Sequence, residues 1–181
     1  MWRRVAKIAF EVFQETSDFH PVDSLPCTFT PLPVEHGADY ISMGFLIKYS
    51  PPPASDGSGD GGTQSLVHQI VYISDVSKIP EQTFATIHSA AASSPINLLV
   101  LDTLSGEDKV HQTHFNIADA VEAANAIRPQ RCLLVGMSHA IDHDEGNAWL
   151  KARNLEFPME LAYDGLVVSI PEEEEEEEEE S

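Results

Sequence analysis

The chain has little positive charge: ten Lys and Arg stand against thirty Asp and Glu, for a formal net charge of −20 over 181 residues. Nucleic-acid binding relies on clustered Lys and Arg to displace counterions from phosphates. No such patch exists here, so DNA and RNA are set aside as direct partners. Glu172 to Glu180 supply nine of the negative charges, leaving about −11 for the rest. The chain also lacks long apolar runs. No window approaches the ~18 consecutive apolar residues that a spanning helix requires, so no membrane association is expected. Cysteine is scarce as well. Cys27 and Cys132 lie far apart in sequence, and Cys132 sits within an apolar run that reads as a buried strand, so the pattern is not that of a disulfide scaffold. A reducing, cytoplasmic location is the expectation. The N-terminal stretch Met1 to Phe10 is basic and apolar, but it has no continuous apolar core ahead of a small-residue cleavage site.

What is present fits a single layered α/β domain over residues 1–170, followed by a disordered poly-Glu tail over 171–181. Val5, Ile8, Ala9, Val12 and Phe13 fall at helical spacing. Residues 28–34 read as extended, with Pro31 and Pro33 arguing against a central place in a sheet, and 41–49 read as a strand. Residues 51–65 are rich in Pro, Gly, Ser and Asp and predict a flexible loop joining two strands. A strand over 66–73 ends at Ser74-Asp75, and Pro80-Glu81 opens a helix reaching about Ser93. The run 97–102 is a buried strand that delivers Asp102 at its end. Asn116 caps a helix whose buried stripe is Ile117, Ala120, Val121, Ala124 and Ile127, with Asp119 in its first turn and Pro129 beyond its end. A strand over 131–137, a helix over 144–153 and a last strand over 165–170 complete the alternation.

Four polar groups recur where a strand meets a loop: Glu35-His36-Gly37, Ser74-Asp75, His111-Gln112-Thr113-His114 and Ser138-His139-Ala140-Ile141-Asp142-His143. Strand ends hold side chains rigidly at the rim of a sheet, where ligands bind in open α/β folds. Imidazole and carboxylate are the ligands that zinc, manganese and iron take at hydrolytic sites. His20, His68 and His88 have no partner at a strand end and read as surface or hydrogen-bonded structural residues.

In that order, together with Leu101-Asp102-Thr103-Leu104 and Leu161-Ala162-Tyr163-Asp164-Gly165-Leu166, these pieces resemble metallo-β-lactamase-fold hydrolases, and among them the cyclic-phosphate phosphodiesterase branch. The resemblance covers about residues 30 to 170. It implies the C-terminal portion of an αββα sandwich, an α/β architecture of the four-layer α+β type, acting on a small-molecule phosphodiester. It also implies that His36 completes a first metal site, that Asp75 bridges two metals, that His139 is the last ligand of the second, and that His114 protonates the leaving group. The implied cofactor is a pair of divalent metals, zinc or manganese.

The family's His-x-His-x-Asp-His motif has no counterpart upstream of His36, where only Asp18 and His20 stand. Three ligands shared between two sites leave each metal short of the three or four protein ligands that hold zinc firmly. Three readings follow: a metal-dependent hydrolase completed by self-association or a complementing partner, an inactive remnant of the fold acting through protein contacts, and an unrelated α/β binding module whose acidic tail does the recognition. The last leaves the ordered histidines unexplained.

Overall fold

The computed structural model describes residues 12–14, 17–21, 25–50 and 67–170. Within them the elements are β1 (Cys27–Glu35), β2 (Ile41–Tyr49), β3 (His68–Ile73), α1 (Glu81–Ala91), β4 (Ile96–Asp102), α2 (Ile117–Ile127), β5 (Cys132–Val135), α3 (His143–Lys151) and β6 (Met159–Leu161). The expected flexible loop, most of the expected N-terminal helix and the poly-Glu tail lie outside the described residues. Val12 to Gln14, at that helix's end, carry no regular structure.

The six strands form one mixed sheet in sequential order. β1, β2 and β3 pair antiparallel, and β3 through β6 pair parallel. Because β1 therefore runs the same way as β3, five strands end at one edge of the sheet: β1, β3, β4, β5 and β6. β1 lies at the outside of the sheet, where Pro31 and Pro33 can be accommodated without breaking ladder bonds on both sides.

Register divides the sheet into two faces. Leu32, Leu46, Val71, Ile73, Leu99, Leu101, Cys132, Leu134 and Leu161 share one face and belong to a single buried cluster with Ile87 and Ala90 of α1, Ala120, Ala124 and Ile127 of α2, and Leu150 of α3. Their period of two along each strand, set against a helical stripe on the covering helices, is what joins the layers. The opposite face carries Phe29, Phe45, Ile70, Leu98, Val100 and Leu133. On it Phe13 stacks on Phe19 with ring centroids 4.4 Å apart, and both rings pack edge-on to Phe45. The protein is thus an α/β sandwich, a mixed sheet flanked by helices, consistent with part of an αββα arrangement. Among the described residues no helix is long and apolar enough to cross a membrane.

Local chemistry sets the helix ends. The Asn116 side chain accepts from the backbone N–H groups of Ala118 and Asp119, while Asp119 accepts from the Asn116 N–H, a complete capping box. α2 then ends at Arg128 in the left-handed region, φ 56°, just ahead of Pro129. Asp142 caps α3 in the same manner through the N–H groups of Asp144 and Glu145. The last strand differs from expectation. The Asp164-Gly165 turn forms, with Gly165 at φ 85° and the Leu166 N–H donating to the Tyr163 carbonyl. Among the described residues, 166–170 nevertheless pair with no strand, and Val167 is 84% exposed. The edge place is taken earlier by Met159–Leu161, which Cys132 and Ala162 lock to β5 through backbone bonds to Pro158 and Leu134.

Candidate metal centre

The common edge where the strands end is where the polar residues gather. His36 follows β1, Asp75 follows β3, Asp102 closes β4, His114 lies in the connection from β4 to α2, and His139 sits in the turn after β5. Of these, His36, Asp75 and His114 each offer one ligand atom, and the three atoms lie within 4.8 Å of one another. His139 is exposed in its turn and does not belong to that cluster.

Each imidazole is held by its other nitrogen. His36 Nδ1 lies 2.7 Å from the Thr113 carbonyl oxygen, and His114 Nδ1 lies 2.9 Å from Asp102 Oδ2. With Nδ1–H donating in both, Nε2 is the free nitrogen on each ring. This is the arrangement that orients histidines toward a metal, in which a carbonyl or carboxylate fixes the tautomer and raises the basicity of the free nitrogen. The rings stand 4.8 Å apart, centroid to centroid, and nearly perpendicular.

Backbone ties keep these side chains in place. The Leu104 N–H donates to the Phe115 carbonyl and the Ile117 N–H to that of Ser105, binding the His114 loop to the end of β4. The Glu35 N–H donates to Lys78 and the Ser77 N–H to Glu35, binding the His36 turn to the segment after Asp75. Asp75 has φ 54°, a left-handed conformation costing of order 1 kcal/mol in a non-glycine residue, though Asp adopts it more readily than most. The exposed carboxylate is therefore held at the cluster by a locally unfavourable backbone.

Asp102 is the residue whose role the sequence left unassigned. It is 2% exposed, and burial pushes its carboxyl above the ordinary range. The hydrogen bond and charge of His114 and a hydrogen bond from the Val76 backbone pull it back, while the Asp75 charge pushes it up again. Gly136, at φ 82°, is what lets β5 pass this carboxylate, since a Cβ there would sit 2.8 Å from Asp102 Oδ1. The available signal was an acidic residue ending an otherwise apolar strand, twelve positions ahead of a histidine.

The other histidines are structural or peripheral. His88 Nε2 bonds the Ala126 carbonyl, linking α1 to the end of α2, and His20 Nδ1 bonds the Cys27 carbonyl. His143 Nε2 bonds the Leu161 carbonyl, fastening α3 to β6. His111 lies beside His114, ring centroids 5.3 Å apart, with Nδ1 turned toward Thr113. Cys27 and Cys132 are both free thiols.

The donor set fits a divalent cation: two imidazole nitrogens with carbonyl or carboxylate support and one carboxylate. His36 and Asp75 stand just past strand ends, whereas His114, expected where a strand meets a loop, lies on the segment leading into α2. It is a three-residue set, so the two sites of a dinuclear centre are not both built from the described residues. The chain matches no known protein-family model and no curated protein. Solved structures do resemble it. A diphosphatase from the PhnP family is 22% identical with a TM-score of 0.57, the match covering 83% of this chain and 46% of that one. The metallo-β-lactamase fold protein YhfI from Bacillus subtilis is 20% identical with a TM-score of 0.57, covering 85% and 53%. Yeast PDE1 is 13% identical with a TM-score of 0.53, covering 83% and 47%. The chain spans about half the length of these structures. Identities this low establish fold alone, and over the part it covers the chain has the metallo-β-lactamase fold.

Proposed function

We propose that the protein is a divalent-metal-dependent hydrolase of the phosphodiesterase-like type, with a metal site only partly furnished by the described residues. The observation that carries this reading is the convergence of His36 and Asp75, just past the ends of β1 and β3, with His114 from the connection between β4 and α2, both imidazoles being pinned through Nδ1. In it His36 and Asp75 hold a cation, zinc or manganese by donor chemistry, and His139 is the last ligand of a second one. When bound, the cation supplies Lewis-acid stabilisation of charge building on a phosphoryl oxygen.

The chain's own groups do the rest. Asp75, exposed at the strand end, fixes where the cation sits relative to His114. His114 carries a proton on Nε2 when it is an imidazolium and delivers it to the departing alkoxide of a phosphodiester. Asp102 accepts the Nδ1–H throughout, so the ring is held in one orientation with Nε2 free. Burial of Asp102 limits the competition from water for that bond.

Metal content of the purified full chain, measured by mass spectrometry after zinc or manganese loading, tests the reading beside turnover of a chromogenic phosphodiester. The expected result is bound metal that disappears in the His36→Ala and Asp75→Ala double variant. His114→Ala should keep the metal and lose about 10²- to 10⁴-fold in turnover. Loss of metal in His114→Ala would instead make it a ligand. A second reading, a fold remnant acting through protein contacts, is favoured by the three-residue donor set. Absence of both metal and turnover in the unmodified chain would decide for it, unless a second copy or a complementing partner restores both.

A further inference from the structure

The cluster belongs to a row of rings that continues beyond it. The ring centroids of Tyr40 and His36 are 6.0 Å apart, those of His36 and His114 4.8 Å, and those of His114 and His111 5.3 Å. The two inner rings belong to the candidate metal centre, whereas Tyr40 contributes no ligand and is 65% exposed. It belongs to no part of the core. Its position is nonetheless firmly set. The His36 N–H donates to the Tyr40 carbonyl at 2.8 Å, the Gly37 N–H donates to Ser77 Oγ at 2.9 Å, and Gly37 at φ 82° closes the turn. A large aromatic ring is thus displayed to solvent on a pinned turn, one ring away from where the reacting group would sit. Ile41, the next residue, is exposed too.

We propose that Tyr40 is a specificity-determining residue that stacks on a planar aromatic group of the ester, an aryl ring or a nucleobase, while the phosphoryl group lies at His36 and His114. The inference rests on the hydrolase reading for the phosphoryl group. Stacking itself needs only a flat, solvent-facing ring with two torsions to fix, and it is tolerant of the identity of the partner ring. A planar group joined to the phosphorus through an ester oxygen would leave the cluster on the Tyr40 side, because His36 separates the two only by its own ring.

The test measures binding of methyl phosphate, phenyl phosphate and adenosine 5′-monophosphate to the zinc-loaded full chain by calorimetry. It also follows the Tyr40 ring resonances by NMR in zinc-loaded and zinc-free protein. Phenyl phosphate is expected to bind about 5- to 100-fold more tightly than methyl phosphate, a ratio that collapses in Tyr40→Ala and survives in Tyr40→Phe. Adenosine 5′-monophosphate outbinding phenyl phosphate would assign the group as a nucleobase, and the reverse order would assign a small aryl ring. An equal affinity for methyl and phenyl phosphate, or a ratio indifferent to Tyr40→Ala, overturns the proposal while leaving the metal reading standing. Failure of zinc to bind overturns the metal reading alone. In that case the Tyr40 resonances decide the stacking in the zinc-free chain, and their indifference to phenyl phosphate overturns it.

Discussion

The helix-covered face of the sheet and the edge where its strands end are built from the same strands on opposite physical principles. On the face, Leu99, Leu101, Cys132 and Leu134 carry no exposed surface and no polar group that needs a partner other than backbone. Their contribution is area removed from water and dense packing, and it is indifferent to ionic chemistry. At the edge, two residues beyond β3 or at the end of β4, the chain holds Asp75 at φ 54°, buries the Asp102 carboxylate and brings two imidazoles together. None of these choices favours folding. The comparison teaches that stability is concentrated on the face and spent at the rim, as expected where ionisable groups are positioned for chemistry.

The largest effect should follow from breaking the face. Leu101 is fully buried in β4 beside Ile73 and Leu134. Leu101→Ala should cost about 2–5 kcal/mol through lost transfer energy and the cavity left behind. Chemical denaturation should show a lower midpoint with an unchanged slope. Because Leu101 immediately precedes Asp102, any metal binding should weaken with it. A midpoint unchanged from the parent chain would mean that this face is not the core of the molecule.

A smaller effect is expected where the two regions meet. Gly136→Ala puts a side chain at φ 82° and a methyl group 2.8 Å from Asp102 Oδ1. The positive φ alone costs roughly 1–2 kcal/mol, and the carboxylate must move as well. The distinguishing readout is the His114 ring. Its Nδ1–H resonance, sharp when the proton is shared with Asp102, should shift or exchange faster in the variant, whereas a substitution that only strained the backbone would leave it in place.

How much of this was legible beforehand depends on whether a feature is written in local pattern or in tertiary contact. The period-two runs and the Asn116 cap place β2 and α2 at residues 41–49 and 117–127, as their own patterns require. His36, Asp75, His114 and His139 stand out in the sequence as polar residues expected at strand ends; the structure brings the first three together, with His114 on the loop ahead of α2 and His139 outside the cluster. The bond from Asp102 to His114 was not legible, because a carboxylate ending a buried strand looks like any strand terminus until the loop carrying His114 folds back over it. β6 escaped for a related reason. Met159–Leu161 is too short to show a period, and only pairing with β5 makes it a strand, whereas residues 165–170 have the pattern but no neighbouring strand among the described residues.

The smallest and most informative effect concerns Asp102 itself, since it should separate what the rim costs from what it does. Burial raises the folded-state carboxyl above its ordinary value of 3.8. A carboxyl raised in this way favours the folded state fully only below its unfolded pKa, and that contribution is lost as pH rises through the folded value. Asp102→Asn removes the titration and keeps an oxygen that can accept from His114 Nδ1. Thermal unfolding should therefore show the variant gaining on the parent chain as pH climbs from about 3.8 through the raised value and holding a constant advantage beyond it. Weakening the charge-assisted bond to His114 Nδ1 should at the same time loosen the orientation of that ring, lowering phosphodiester turnover while a cation held by His36 and Asp75 remains. A variant that loses stability at neutral pH would show that the His114 bond outweighs the desolvation of the carboxylate, and that this part of the rim contributes to folding after all.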